Sequence, residues 1–288
     1  MIPANFAYHS PSSVQEAVAL LAELGDEARA LAGGHSLIPM MKLRLAAPEA
    51  LVDLSRIPAL KGVREEGSEI VVGAMTTQHQ LLQDPILAEK LPLIPETSAV
   101  IADPQIRYRG TLGGNVANGD PGNDMPAVMM TLDATYTLAG PNGERSVKAR
   151  EFYQGAYFTA AEDGEILVAV RIPTPPAGAG FAYEKLKRKV GDYATAAAAV
   201  QLTMKAGAVE TIAIGLTNVS ETPLLAEDAM AILAGSKLEP EVVDRAIAAA
   251  EAVTNPASDG RGPAEYRTAM AGVMLRRALA RAASRAQG

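Results

Sequence analysis

Two pairs of consecutive glycines are the residues of this sequence best suited to bind an oxygen-rich ligand. They lie in the segments 32–36 (A-G-G-H-S) and 111–115 (T-L-G-G-N), called here the first and second glycine loops. Consecutive glycines let backbone N–H groups point into one concavity and allow a ligand to approach closely. Ser36, Thr111 and Asn115 add side-chain donors. Two such loops would suit the two phosphates of a dinucleotide; the alternative is a pair of tight turns.

Other motifs for phosphate binding or nucleophilic attack are missing from the sequence. No G-x-G-x-x-G follows a strand and opens a helix, and no G-x-x-x-x-G-K-[ST] occurs. No G-x-S-x-G occurs either, so Ser36 is not the serine of a nucleophile elbow. The sequence therefore gives no support to a Rossmann domain or a P-loop.

The cysteine and histidine content limits the redox chemistry that the chain itself can perform. The 288 residues include no cysteine and three histidines, His9, His35 and His79. Without thiolates the chain has no ligands for an iron–sulfur cluster or a cysteine-bound zinc, and no disulfide. None of the histidines forms a close ligand pair with another. We therefore expect no internal metal site, and any redox chemistry must use an organic cofactor.

The charge and the hydropathy of the chain bear on its partners and its location. The formal net charge is −7, so most of the surface would repel a phosphate backbone, and we expect no nucleic-acid partner. The N-terminal residues lack a basic segment followed by an apolar one. No apolar run approaches the roughly 20 residues of a membrane span. We expect a cytoplasmic protein and leave open peripheral association with the inner face of the membrane.

The elements that must position the first glycine loop form a small α/β unit. Ser13 has the spacing of a capping box and begins a helix that Gly25 ends. The first glycine loop interrupts the apolar run 28–32 before a predicted helix at 37–45. A strand is predicted at 51–54.

The second glycine loop lies in the segment 103–126, which is rich in Gly, Asn, Asp and Pro. This composition, flanked closely by apolar segments, predicts a functional loop. A strand at 69–73 and a short helix at 77–83 precede it, and strands at 134–138 and 166–172 follow it.

The segment 173–180, rich in Pro and Gly, is the clearest boundary in the sequence. Beyond it, the runs 196–204 and 209–216 predict a hairpin, and three helices are predicted at 224–233, 240–253 and 263–286. These patterns divide the chain into three α/β modules, 1–55, 56–175 and 180–288, with the ligand between the first two.

The two glycine loops together resemble the paired pyrophosphate loops of the FAD-binding medium subunits of the molybdenum hydroxylase (xanthine dehydrogenase) family. Three further segments are similar to that family: 101–107, 185–193 and 259–267. Within the family, the segment 118–127 most resembles the medium subunits of aerobic carbon monoxide dehydrogenases. The resemblance covers nearly the whole chain.

The resemblance implies an α+β or α/β fold class, with an FAD-binding fold of the vanillyl-alcohol oxidase (PCMH) type followed by a C-terminal α/β domain. It implies one FAD, held non-covalently. Asp124 would lie by the adenosine half, Leu167 and Lys185 would line the flavin, and Tyr193 would lie near the isoalloxazine ring. The full set of residues assigned to FAD is Ala32, Gly33, Gly34, His35, Ser36, Thr111, Leu112, Gly113, Gly114, Asn115, Asp124, Leu167, Lys185 and Tyr193. No residue is assigned a catalytic or metal-binding role.

The four residues outside the glycine loops also have ordinary structural interpretations. Asp124 would then solvate a loop, and Leu167 would belong to the core. Lys185 would lie on an exposed basic face, and Tyr193 would pack without functional consequence.

His35 and Gly191 raise two narrower expectations. Some flavoproteins of the wider fold attach FAD through a histidine in a loop like R-S-G-G-H. Here Leu31 and Ala32 replace the Arg and Ser, so we expect no bond between His35 and flavin. Gly191 precedes Tyr193 by two residues and would serve as a hinge for an aromatic lid over the flavin.

The resemblance implies that the chain passes electrons and does not meet the substrate. A large partner subunit would hold the molybdenum cofactor, and a small one would carry [2Fe-2S] clusters. FAD would collect the electrons for a quinone or another acceptor, in a dimer of heterotrimers. Oxidation of carbon monoxide to CO2 is the first expectation, and a purine or N-heterocycle dehydrogenase is the alternative. Two other classes stay open: a self-sufficient flavin oxidase, and a non-enzymic nucleotide-binding or scaffold protein.

Overall fold

A computed structural model describes residues 2–286, which form three main sheets with helices packed on and between them. The strands are β1 (Ala7–His9), β2 (Ala28–Leu31), β3 (Ala50–Asp53), β4 (Val63–Glu66), β5 (Glu69–Gly73), β6 (Thr135–Gly140), β7 (Gly143–Lys148), β8 (Tyr153–Gly155), β9 (Phe158–Thr159), β10 (Ile166–Pro173), β11 (Gly180–Leu186), β12 (Ala196–Lys205), β13 (Ala208–Thr217) and β14 (Leu224–Leu225). The α-helices are α1 (Val14–Leu24), α2 (Leu37–Lys42), α3 (Gln78–Gln83), α4 (Pro85–Lys90), α5 (Leu93–Val100), α6 (Pro104–Arg107), α7 (Leu112–Ala117), α8 (Asp124–Thr131), α9 (Ala149–Phe152), α10 (Glu227–Leu233), α11 (Pro240–Ala252) and α12 (Ala264–Arg285).

The first sheet is parallel, with the order β1-β3-β2, and α1 packs against it. The side chain of Ser13 accepts a hydrogen bond from the backbone N–H of Glu16 at 3.1 Å, and Gly25 ends the helix with φ of 60°. Ser13 and Gly25 are thus the predicted cap and end of α1. The predicted capping box is incomplete, because the Glu16 carboxylate accepts a hydrogen bond from the backbone N–H of Ser12 at 2.8 Å and not from that of Ser13. The chain leaves β2 directly into the first glycine loop, which α2 follows.

The second sheet is antiparallel, with the order β4-β5-β10-β6-β7. It shares a hydrophobic cluster with the first sheet, in which Val52 of β3 packs with Met75, Ala139 and Ile166. Apolar side chains that belong to one contact cluster form one hydrophobic core. The predicted boundary near residue 55 therefore separates two sheets but not two cores.

The segment 103–126 alternates short helices with loop residues, of which 118–123 is the longest stretch, so the expected loop is only partly present. Asp103 accepts a hydrogen bond from the backbone N–H of Ile106 at 3.0 Å, and Pro104 occupies the first position of α6. Thr111 caps α7 in the same way, through the backbone N–H of Gly114. Proline at the first position and an Asp or Thr cap stabilise short helices. Here these residues begin helices in a segment whose composition is typical of loops.

The third sheet is antiparallel, with the order β11-β12-β13-β14. The predicted hairpin is confirmed: β12 and β13 pair around Ala206 and Gly207, which both have positive φ. The helix predicted at 224–233 begins only at Glu227, because Leu224 and Leu225 pair with β13. The other two predicted C-terminal helices are α11 and α12.

The third sheet packs on both faces, with α12 on one and α8 on the other. The alanines of β12 divide between two cores, Ala197 and Ala199 toward α8 and Ala196 and Ala198 toward α12. A Cβ atom on Gly215 would lie 3.1 Å from the carbonyl carbon of Ala127 in α8, and closer still to its oxygen. The third sheet and α8 therefore meet along a close seam. None of the helices in residues 2–286 is both long and apolar enough to cross a bilayer.

Candidate functional site

A cleft of about 820 Å³ lies where segments of all three sheets converge. This volume falls in the range of roughly 300–1,000 Å³ that is typical of small-molecule sites. Its walls include the first glycine loop, the second glycine loop and the 185–193 segment, so the third module also contributes a wall. Thirteen of the fourteen predicted residues line it: Ala32, Gly33, Gly34, His35, Ser36, Thr111, Gly113, Gly114, Asn115, Asp124, Leu167, Lys185 and Tyr193.

Leu112 and Leu167 belong to the hydrophobic core that supports the cleft. Leu112 is fully buried and does not line the cleft, so its side chain is a core residue. Leu167 packs in the same core but also reaches the cleft surface from β10. Leu167 is therefore a core residue that also reaches the cleft, and its contact with the flavin stays a prediction.

The two glycine loops contact each other. A Cβ atom on Gly33 would lie 2.8 Å from the carbonyl carbon of Arg109 and the same distance from the Cα atom of Gly110, and closer still to the Arg109 oxygen. A Cβ atom on Gly114 would lie 3.2 Å from that of Ala32. The missing Cβ of Gly33 is thus required first for close contact with residues 109–110, which lead into the second glycine loop, whereas the sequence suggested space for a ligand. Of the two glycines in the first glycine loop, Gly34 and not Gly33 has a positive φ, at 77°.

The two loops differ in the hydrogen-bond donors that they offer. Within residues 2–286, the backbone N–H groups of 33–36 donate to no acceptor. Those of 112–115 are all used: the N–H of Gly113, for example, donates to Ala74 at 2.8 Å. Successive free N–H groups form an anion-binding concavity. The first glycine loop therefore fits an anionic group of a ligand, and the second supports it.

Two buried amides in the cleft wall have nitrogen atoms without a partner. These are Nε2 of Gln78 and Nδ2 of Asn118, which donate to no other atom of the described residues. Buried donors are nearly always paired in native proteins, with the protein, water or a ligand. Neither residue was predicted from the sequence, because an unpaired donor is visible only after the fold has brought its neighbours together. Free loop N–H groups and two spare amides together fit an acceptor-rich molecule such as FAD.

Asp124 and Lys185 form a buried ion pair, with 2.8 Å between Oδ2 and Nζ. Their side chains are 5% and 2% exposed, so neither solvates a loop nor lies on an exposed basic face. The Tyr183 hydroxyl donates to Oδ1 of Asp124 at 2.6 Å, and burial, reinforced by this carboxylate, raises the pKa of Tyr183 well above its ordinary value. The two residues lie at one point of the wall, and their assignment to different parts of FAD stays a prediction.

His35 is exposed at the cleft, and its surroundings favour the neutral imidazole. Partial desolvation of the ring, followed by the positive charge of Arg109, lowers the pKa of His35 below its ordinary value. Asp103 opposes this shift, with a smaller effect. A neutral imidazole beside the free N–H groups of the first glycine loop is able to donate or accept a hydrogen bond.

Tyr193 lies at the mouth of the cleft and is 40% exposed, so it is not an ordinary core residue. The guanidinium of Arg261 lies 5.6 Å from the centre of its ring. Partial burial and the nearby carboxylate of Asp120 raise the pKa of Tyr193, which keeps its hydroxyl protonated. Gly191 has a φ of 86°, a backbone conformation that glycine adopts more easily than other residues, as a hinge would require.

The segment that carries Tyr193 is anchored by the C-terminal module. Arg188 donates to Oδ2 of Asp192 at 2.9 Å and to the carbonyl oxygen of Gly260 at 2.8 Å. Arg267, which is almost fully buried, fixes the neighbouring turn through the carbonyl oxygen of Ala257 at 2.7 Å. The segment 259–267, which the sequence analysis connected only with family resemblance, therefore positions the mouth of the cleft.

Titratable side chains within residues 2–286 form no cluster of three or more that would hold a metal ion.

Comparisons with known proteins match the chain over nearly its whole length. Residues 4–175 match the family model described as "FAD binding domain in molybdopterin dehydrogenase", and residues 181–282 match "CO dehydrogenase flavoprotein C-terminal domain". The carbon monoxide dehydrogenase medium chain of Afipia carboxidovorans is 66% identical over 287 residues, with all of both chains covered. That of Hydrogenophaga pseudoflava is 52% identical, with 97% of each chain covered.

A solved structure shows the same fold. A chain in the cyanide-inactivated form of a Cu,Mo-CO dehydrogenase superposes with a TM-score of 0.98, at 66% identity, covering 99% of this chain and all of the other. The expected architecture, an FAD-binding domain followed by a C-terminal domain of mixed α and β structure, is confirmed.

Proposed function

The chain belongs to the family of FAD-binding domains in molybdopterin dehydrogenases, and we propose that it is the FAD-carrying, electron-transferring subunit of a molybdenum hydroxylase that oxidises carbon monoxide to CO2. The observation that carries this proposal is the composition of the cleft. Its free backbone N–H groups and spare amides suit an acceptor-rich dinucleotide, and the residues described contain no cluster for metal-assisted substrate chemistry.

The residues of this chain bind and shield the cofactor. The N–H groups of 33–36 would donate to the pyrophosphate, and Leu167 and the Asp124–Lys185 pair would form the wall beside the flavin. Tyr193 would cover the mouth and limit the access of oxygen to the reduced ring. The bound FAD supplies the ability to accept electrons singly and to release them in pairs.

We propose partner chains for the remaining centres. A large subunit holds the molybdenum cofactor, and a small subunit carries [2Fe-2S] clusters, since this chain has no cysteine to bind them. The complex is a dimer of heterotrimers in the cytoplasm, and a quinone accepts the electrons from the flavin. The name "medium chain" of the two relatives agrees with an assembly of several chains.

The alternative substrates within the family are purines and N-heterocycles. The 66% identity with a carbon monoxide dehydrogenase chain over the full length favours carbon monoxide. A self-sufficient oxidase would need a base over the flavin; the titratable groups that line the cleft include His35, Tyr193 and scattered carboxylates, and none of them is paired with a substrate pocket of its own in the described residues.

The test is to purify the chain with whatever copurifies and to add carbon monoxide without oxygen. We expect the flavin spectrum to bleach in the complex, whereas the isolated chain loaded with FAD keeps its oxidised spectrum. After acid denaturation, FAD should remain in the supernatant. Bleaching by a purine or N-heterocycle alone would assign the other substrate class. Bleaching of the isolated chain would contradict the subunit role, and flavin that stays on the precipitated chain would implicate His35.

A further inference from the structure

Gln78 places an unpartnered amide nitrogen in the wall of the cleft. Its side chain is 2% exposed, and its Nε2 has no hydrogen-bond partner among the described residues. Its Oε1 accepts a hydrogen bond from the hydroxyl of Ser98, which is fully buried, at 3.1 Å. A buried donor without a partner costs free energy comparable to a lost hydrogen bond. Such a donor is retained most readily where a bound ligand accepts its hydrogen bond.

The backbone of Gln78 is attached to the base of the second glycine loop. Its N–H donates to the carbonyl oxygen of Gly110 at 2.8 Å, and the preceding residue, Thr77, forms a β-bridge with Thr111. A capping box between Thr77 and Gln80 fixes the start of α3. The amide therefore has a set position in the cleft wall, beside the place where the two glycine loops meet.

We propose that the side-chain amide of Gln78 donates a hydrogen bond to the pyrophosphate of the bound FAD. This inference rests on the proposed function. Pyrophosphate oxygens only accept hydrogen bonds, so they select the orientation in which Nε2 faces the cleft. The Ser98 hydroxyl tolerates either orientation, because it is able to donate or accept. The competing explanation is a buried water that satisfies Nε2 in both the free and the bound protein.

The experiment uses the flavoprotein in the assembly in which it is isolated, stripped of flavin and titrated separately with FAD and with ADP. ADP carries the pyrophosphate without the flavin. Gln78→Met keeps the length of the side chain and removes the donor, and Gln78→Glu replaces the donor with an acceptor. Gln83→Met and Gln83→Glu are the matched controls, because Gln83 ends the same helix, is exposed and lies off the cleft.

We expect Gln78→Met to raise the Kd for FAD and for ADP about 10- to 100-fold, as for a lost hydrogen bond to a charged group. Gln78→Glu should weaken binding at least as much, and the Gln83 variants should bind as the wild type does. The stabilisation of the melting temperature by FAD should fall in parallel. Melting curves without FAD separate this effect from any loss of the Ser98 contact.

Three results would overturn the inference. Unchanged Kd values in both Gln78 variants would assign the amide to a water or to packing. A weaker FAD complex with unchanged ADP binding would move the contact to the flavin half. Wild-type affinity in Gln78→Glu would show that the side chain accepts a hydrogen bond instead of donating one. If the wild-type assembly binds neither FAD nor ADP, the proposed function itself fails.

Discussion

Gly33→Ala is the substitution that most directly probes the contact between the two glycine loops. The new Cβ would lie 2.8 Å from the Arg109 carbonyl carbon and the Gly110 Cα. Ordinary carbon–carbon contacts begin near 3.5 Å, so the two segments would have to separate by at least about 0.7 Å, and by more to clear the Arg109 carbonyl oxygen, which lies closer still. Ligand sites lose function when their geometry shifts by roughly 0.5 Å. The N–H of residue 33 is retained, so the change tests packing and not the loss of a donor.

We expect the Kd for FAD to rise about 10- to 100-fold, which corresponds to about 1.4–2.8 kcal/mol, and the fold to be preserved. Flavin-free protein, in its native assembly, is titrated with FAD by fluorescence quenching and calorimetry, and circular dichroism records the fold. Gly155→Ala is the matched control, because its Cβ would make an ordinary contact of 3.7 Å with Phe158 outside the cleft. A Kd for Gly33→Ala within about twofold of that of Gly155→Ala would refute the argument.

Two further predictions concern the wall and the mouth of the cleft. Asp124→Asn leaves the buried ammonium of Lys185 without its carboxylate and should lower the free energy of unfolding, measured with denaturant, by about 3–5 kcal/mol. The double variant with Lys185→Met should recover part of this loss. A loss below about 1 kcal/mol in the single variant would contradict the buried pair. Tyr193→Ala should retain FAD but speed the reaction of the reduced flavin with oxygen in stopped-flow measurements, whereas Tyr193→Phe, which keeps the ring, should not. Because Tyr193 is 40% exposed, its loss should cost less stability than the roughly 3–5 kcal/mol of a buried aromatic; an unchanged rate with a large fall in melting temperature would leave the lid without support.

The sequence predicted the parts of the site that depend on local pattern. Paired glycines after an apolar run marked both loops, and the cap and stop residues of α1 marked the helix before the first loop. The segment 103–126 was predicted less well, since Gly, Asn, Asp and Pro are common both in loops and at the ends of short helices. The helical structure there depends on the two caps, Asp103 and Thr111, whose effect is stronger than that of the composition around them.

The remaining features of the site depend on contacts between residues far apart in the chain. Lys185 reads as part of a basic run, but β11 carries it to Asp124, 61 residues away in the sequence. The spare amide of Gln78 follows from the packing of α3 against α5 through Ser98, which no local pattern indicates. Gly33 stands out in the sequence, yet the reason for it, the carbonyl group of Arg109, lies in the turn just before the second glycine loop.

The close seam between α8 and the third sheet bears on how the cofactor is exchanged. Gly215 brings β13 against Ala127, and β12 is buried on both faces, so swinging the third module away would expose a complete strand of the core. We therefore expect flavin to enter and leave past the Tyr193 segment, without separation of the modules. Its residence time would then follow local loop motion, and the chain would exchange its cofactor without unfolding.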